Sequence, residues 1–294
     1  MQIFDKDNRA FTDEVLSEHI EAALMVDKPS GPSFKLLYHA VKRIYRPVVR
    51  GTENIPDRPC LFVGNHSLFA LDGIVLGPIM YYEMNRFLRG LGDRFLFTNP
   101  KSRHWLESQG AVVGHPNVCA ALMEQGNDLL VFPGGAHEAV KSADQLYELQ
   151  WKERYGFIKL AAAHGYTIQP FAMVGPDEFY DHLVEGHELL ASPFGKILKR
   201  LGVFNEQTRD DVLPPIPVGT LGSLIPKPQR CFIEFGQPLD LAEYHSGGKR
   251  LTKKRLKELR DTVAEEIDES LRDLLLLREQ RRGEDGLLRR ILTL

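Results

Sequence analysis

The chain has 294 residues, 43% hydrophobic and 26% charged, which is enough apolar content to bury the core of one large α/β domain. A formal net charge of -3 supplies no overall basic field, so nucleic acid is not indicated as a partner. Cys60, Cys119 and Cys231 stand far apart, without metal-ligand spacing, and their odd number argues against a disulfide framework; a reducing, cytoplasmic setting fits.

The first residues, Met1 to Asp7, mix charges and lack the basic start and apolar run of a secretory signal. Residues 11–50 read as mainly helical, and Phe34 to Val49 as a basic amphipathic helix in which Leu36, Leu37, Val41 and Ile44 alternate with Lys35, Lys42, Arg43 and Arg46. A turn at Ile55-Pro56-Asp57 leads into a short buried strand, Cys60 to Gly64. Gly73 to Tyr82 is apolar but too short to span a bilayer, so any contact with lipid is expected from the surface. Strands are expected near Phe95 and at Ala111-Val112-Val113, followed by a helix opened by Pro116 and closed by Gly126. Asp128 to Phe132, Thr167 to Val174 and Cys231 to Phe235 read as further strands. Trp151, Tyr155, Ile158 and Ala162 mark one face of a helix ending near Gly165.

Strands alternating with helices predict an α/β fold with a mostly parallel central sheet flanked by helices. The proline-rich stretch from Val212 to Pro226 lacks too many backbone donors for a regular helix or a central strand and reads as an apolar surface loop. Leu256, Leu259, Val263, Ile267, Leu271 and Leu274 recur at helical spacing, and a basic tail from Leu287 to Leu292 follows. The organisation expected is a helical, membrane-contacting segment over residues 1–50, a central domain over 51–245 and a helical extension over 246–294.

His66 leaves the C-terminal end of a buried strand, where open α/β sheets place their sites, and Asp72 lies six positions on. A carboxylate that holds an imidazole in one tautomer lets the other ring nitrogen take a proton from an alcohol. A lone His-Asp pair is also common in structural networks. A second strand ends at Phe132-Pro133-Gly134-Gly135-Ala136-His137-Glu138, where the glycines admit close approach of a ligand and their N–H groups are candidate oxyanion donors; a plain strand-to-helix turn is the simpler alternative. A metal on His66, Asp72, His137 and Glu138 is chemically feasible but has no helical His-x-x-x-His spacing behind it. Nucleotide-phosphate, dinucleotide and hydrolase-elbow motifs are missing.

Over residues 45–240 the sequence resembles the glycerolipid acyltransferase family, through Asn65-His66, the downstream Phe-Pro-x-Gly motif and Ile168-Gln169-Pro170-Phe171. It looks closest to the diacylglycerol-acyltransferase-like branch, where Phe-Pro-Gly-Gly replaces Phe-Pro-Glu-Gly and Trp151 to Phe157 and Val174-Gly175 have counterparts. The resemblance implies His66 as general base, Asp72 as its partner, and a substrate site including Asn65, Phe132, Pro133, Gly134, Gly135, His137 and Glu138. It also implies an acyl-CoA or acyl carrier protein donor, a lipid hydroxyl acceptor, and neither metal nor bound cofactor.

The sequence departs from the family in two places. Five residues separate His66 from Asp72 where the family has four, and the arginines of phosphate-accepting members have no match near His115 or at His137. An acceptor without phosphate is therefore expected: a mono- or diacylglycerol or a long-chain alcohol. Lys141, Lys152 and Arg154 would be substitute cations for lysophosphatidic acid, or else a solvated helix face. A non-catalytic lipid-binding protein and a hydrolase are the rival readings. The basic helix, Lys196 to Leu201 and the proline loop together predict attachment to an anionic membrane, on its inner face. Oligomeric state is not legible.

Overall fold

The computed structural model describes residues 13–29, 31–97, 100–184, 215–245 and 248–293; Lys196 to Leu201 and Val212 to Pro214 lie outside them. Two helices, α1 (Asp13–Leu24) and α2 (Pro32–Ile44), precede β1 (Val48–Arg50) and β2 (Cys60–Gly64). Then come α3 (Leu71–Met84), β3 (Leu88–Gly92), α4 (Pro100–Ser108), β4 (Val112–Val113), α5 (Pro116–Glu124), β5 (Asp128–Val131), α6 (Gly135–Ala139), α7 (Gly156–His164) and β6 (Thr167–Val174). Strands β7 (Asp181–Val184), β8 (Ile216–Val218), β9 (Phe232–Phe235) and β10 (Leu239–Asp240) follow, and the chain closes with α8 (Lys253–Gln280) and α9 (Leu287–Leu292).

The main sheet runs β1-β9-β6-β2-β5-β3-β4, with β10 against one end of β6. Pairings among β6, β2, β5, β3 and β4 are parallel, and β9 and β10 run antiparallel to β6. A fully buried strand is apolar on both faces, and β2 is an example: Leu61 and Val63 enter the core under α5, α7 and α8, while Cys60 and Phe62 enter the one under α2 and α3. The period-2 alternation of the pleat makes this division, and β6 repeats it with Ile168 and Ala172 on one side and Phe171 and Met173 on the other. Helix α8 buries the predicted stripe from Leu256 to Leu274 against β6 and β9. The buried Arg89 of β3 donates to Ala23 O (2.8 Å) and Val26 O (2.9 Å), fastening the end of α1 to the sheet.

Four local expectations are corrected. The basic helix stops at Ile44, ahead of Pro47, and Val48 to Arg50 become a strand paired with β9, because pairing satisfies donors that a helix interrupted by proline would leave open. No strand forms at Phe95: the strand is Leu88–Gly92, and Arg94–Phe97 is a 3-10 turn. Trp151 and Tyr155 precede α7, which starts at Gly156. The proline loop contains β8, which pairs antiparallel with β7 in a sheet that has two strands among the described residues, with Pro217 opposite His182.

Strand β2 ends at Gly64 for a packing reason. A Cβ there would come within 2.4 Å of the Phe171 ring, which is itself buried. Gly64→Ala is expected to destabilise the protein by about 1–3 kcal/mol, read as a lower midpoint in urea unfolding with an unchanged slope.

Candidate active site

Adjacent parallel strands β2 and β5 end side by side, and their connections leave in opposite directions, β2 toward β3 and β5 toward β6. In open α/β sheets such a divergence is the general location of a ligand site, at the carboxyl ends of the strands. His66 follows β2, and Phe132 to Gly135 follow β5. The two rings meet: His66 and Phe132 are stacked, with centroids 4.2 Å apart and planes 8° from parallel.

The extra residue between His66 and Asp72 is absorbed locally. Phe69 (φ 58) and Ala70 (φ 54) both take left-handed backbone angles in the 3-10 turn Leu68–Ala70, so the chain curls before α3 and Asp72 falls in its first turn. There the 1%-exposed Asp72 carboxylate lies 2.9 Å from His66 Nδ1 and accepts from the backbone N–H groups of Ser67 and Gly73. Asp72 N returns a bond to Ser67 Oγ at 3.1 Å. A carboxylate held from several sides holds Nδ1 in turn, leaving Nε2 as the nitrogen that faces away.

The backbone of His66 is held as firmly as its ring. Its N–H donates to Glu138 Oε1 (2.7 Å), and its carbonyl accepts from Lys141 Nζ (2.5 Å). Glu138, fully buried, also accepts from Gln150 N at 3.1 Å. Lys141 pairs with Asp177 (3.0 Å), and Asp177 accepts from Tyr147 N (2.8 Å). Burial raises the Glu138 carboxyl from 4.5 to about 7 against the opposing pull of Lys141, and burial likewise raises Asp177.

Several expectations change at this point. The double glycine is required by packing: a Cβ on Gly134 would sit 2.0 Å from Glu138 Oε2, and Gly135 has φ +52. Gly135 N–H donates to Phe132 O at 2.9 Å within the turn and is unavailable as an oxyanion donor. Asn65, expected at the substrate, bonds Met173 with both ends of its amide (3.0 and 2.8 Å) and pins the exit of β2 to β6. Glu138 is likewise engaged inside the protein. Lys141 and Arg154 are no solvated helix face: Lys141 is buried, and Arg154 Nη1 donates to Pro133 O (2.8 Å) and Gly134 O (2.6 Å). Phe132 and His137 are half-buried, and Pro133 is buried. Asp177, Tyr147 and Gln150 were missed from sequence; the signal for Asp177 was an acid three residues beyond the fully buried β6, at the same end of the sheet as His66.

Residues 46–174 match the acyltransferase family model, spanning β1 through β6 and both turns just described. Over these residues the chain is similar to that family. Phytyl ester synthase 1 of Arabidopsis thaliana is 28% identical over 79% of this chain, and the match spans 35% of that protein, so this chain corresponds to about a third of it. The DGAT1/2-independent enzyme synthesizing storage lipids of Gallus gallus is 31% identical over 38% of this chain and 34% of its own length. The crystal structure of a 1-acyl-sn-glycerophosphate acyltransferase from Thermotoga maritima has a TM-score of 0.45 at 15% identity, with 86% of this chain and 88% of that one covered. No helix among the described residues of this protein is long and apolar enough to cross a membrane.

The raised Glu138 carboxyl makes stability of the protein depend on pH. The folded state holds this proton more tightly than the unfolded chain, so the contribution is fully present below about 4.5 and is lost as pH rises through about 7. The Tm of the wild type minus that of Glu138→Gln, measured from pH 5 to 8, is expected to fall as pH rises.

Proposed function

We propose that the protein is an O-acyltransferase that moves a fatty acyl group from a thioester donor, acyl-CoA or acyl carrier protein, to the hydroxyl of a lipid acceptor, with His66 as general base. The observation that carries this reading is the buried Asp72 carboxylate 2.9 Å from His66 Nδ1, with both family motifs at the ends of adjacent strands. Nε2 takes the proton of the acceptor hydroxyl as its oxygen attacks the thioester carbon. The tetrahedral oxyanion collapses, the C–S bond breaks, and the imidazolium returns the proton to the departing thiolate. Asp72 orients the ring and stabilises its charged form.

An acceptor without phosphate is favoured because the nearby cations are already engaged: Lys141 by Asp177 and His66 O, and Arg154 by the carbonyls of the Pro133-Gly134 turn. Binding a phosphate would take these cations from their partners and leave buried acceptors unpaired. Relatives named for phytyl ester synthesis and for storage-lipid synthesis support the same direction. Mono- or diacylglycerol or a long-chain alcohol is the acceptor we favour, with lysophosphatidic acid as the alternative.

Thiol release from a long-chain acyl-CoA or acyl carrier protein is expected to require a neutral acceptor and to fall about 10²–10⁴-fold in His66→Ala. Asp72→Asn, which keeps the shape but presents the wrong partner to Nδ1, is expected to lose activity on a similar scale, roughly 10²–10⁴-fold, through kcat rather than KM. Release with lysophosphatidic acid alone would overturn the neutral-acceptor assignment. Release without any acceptor would indicate a hydrolase, and no release with either donor from folded, lipid-binding protein would favour the binding-protein reading.

A further inference from the structure

The turn between β8 and β9 presents three large apolar side chains to water: Leu221, Leu224 and Ile225 are 78%, 74% and 67% exposed. This turn is an ordered feature. Gly219 N donates to Ser223 O (2.6 Å), Thr220 N to Ile225 O (2.8 Å), and Ser223 Oγ to Thr220 O (2.7 Å). Gly219 has no room for a side chain, since a Cβ would meet Ile225 O at 1.9 Å. Leu221 is held at φ 53, a backbone angle that costs a γ-branched residue free energy while its side chain stands in solvent. A fold that holds leucine there gains nothing from it in water.

The turn is joined to the loop that follows His66. Tyr180 OH donates to Leu224 O at 2.9 Å, and the ring of Tyr180 meets that of Phe69 edge-on, centroids 5.9 Å apart. Phe69 is itself half exposed and lies three residues from His66. On its other flank the turn leads into Pro228 and Gln229, which hold α9: Arg289 donates to Pro228 O, and Gln229 Nε2 to Thr293 O at 3.4 Å. Leu287, Leu288 and Ile291 of α9 are again exposed. Arg289 feels the charge of Arg46, at the end of α2, and the segment Tyr45 to Val48 bonds Cys231 on both sides. Arg43, Arg46 and Arg290 are exposed and have no ion-pair partner among the described residues. Arg230 and Arg289 are neutralised by Glu284 and Asp285.

We propose that Leu221, Leu224 and Ile225 form an interfacial wedge that enters the outer layer of an anionic bilayer, with α9 and the arginines at the end of α2 lying on the headgroups beside it. An apolar tip joined through Pro228 and Gln229 to a helix that carries exposed leucines and Arg290, with Arg46 near that helix, matches a membrane surface, apolar beneath and negative on top. A protein partner of similar affinity would need a matching basic-binding rim as well as an apolar pocket. The purpose of the wedge rests on the acyltransferase reading: a lipid acceptor leaving the bilayer along Tyr180 and Phe69 would reach His66 without crossing water. Its binding to membrane is measurable without turnover.

The test is sedimentation of the full chain with phosphatidylcholine vesicles containing or lacking phosphatidylglycerol, for the wild type and for the triple variant Leu221→Ser, Leu224→Ser, Ile225→Ser. All three side chains are exposed, so the variant is expected to keep the wild-type Tm. The wild type is expected to bind anionic vesicles more tightly than neutral ones, and the variant to bind roughly tenfold more weakly or worse. Leu224→Trp is expected to shift its fluorescence emission to the blue on adding anionic vesicles. Equal binding by wild type and variant, no binding by the wild type, or loss of self-association in place of vesicle binding would each overturn the wedge. If vesicle binding depends on the three residues while no donor or acceptor supports thiol release, the wedge stands and the acyl-transfer reading falls.

Discussion

The buried carboxylate of Glu138 is the contact on which the rest of the site depends. It crosses from the turn after β5 to the backbone of His66 after β2, and it also takes the N–H of Gln150. Two strand ends that are merely adjacent become one rigid unit through this bridge. The bridge needs a glycine at position 134, since any side chain there would occupy the carboxylate's place. Removing water from a carboxyl group is costly, and the cost appears as the raised proton affinity of Glu138; Lys141, nearby, offsets part of it. Stability is thus given up so that the histidine is held in one position, a common exchange at sites where geometry matters more than packing.

A second constraint comes from chain length between His66 and Asp72. Two consecutive left-handed residues, Phe69 and Ala70, cost free energy, and they allow the carboxylate to meet Nδ1 despite the additional residue. The same curl turns Phe69 outward, next to Tyr180. The local solution to a spacing problem therefore also places Phe69 against the residue whose hydroxyl donates to Leu224 O.

Charge is distributed in a way that bears on specificity. The cations closest to His66 are directed into the protein: Lys141 toward Asp177, and Arg154 toward the carbonyls after β5. Arg43, Arg46 and Arg290, which have no ion-pair partner among the described residues, are exposed, and Arg290 lies in α9 with the exposed Leu287 and Leu288. The charges near His66 are thus neutralised inside the protein, and this is the feature on which the proposal of a neutral acceptor rests.

The amino-acid sequence by itself determined the fold class, the positions of β2, β5 and β6, and the motifs at their ends. Short runs such as Cys60-Leu61-Phe62-Val63, bounded by turn residues, read as strands buried on both faces, and proline and glycine mark where such runs stop. What the sequence could not decide was every feature that depends on contact between distant segments. Glycines 134 and 135 read as room for a ligand, but Glu138 and an internal hydrogen bond occupy that room. Lys141 and Arg154 read as solvated cations because their partners, Asp177 and the Pro133 carbonyl, are distant in sequence. Asn65 read as a substrate contact because Met173 is 108 residues away. Local propensity and periodicity are written into neighbouring residues, whereas the partner of a buried polar group is chosen by the packing that removes its water, and only the tertiary structure specifies that choice.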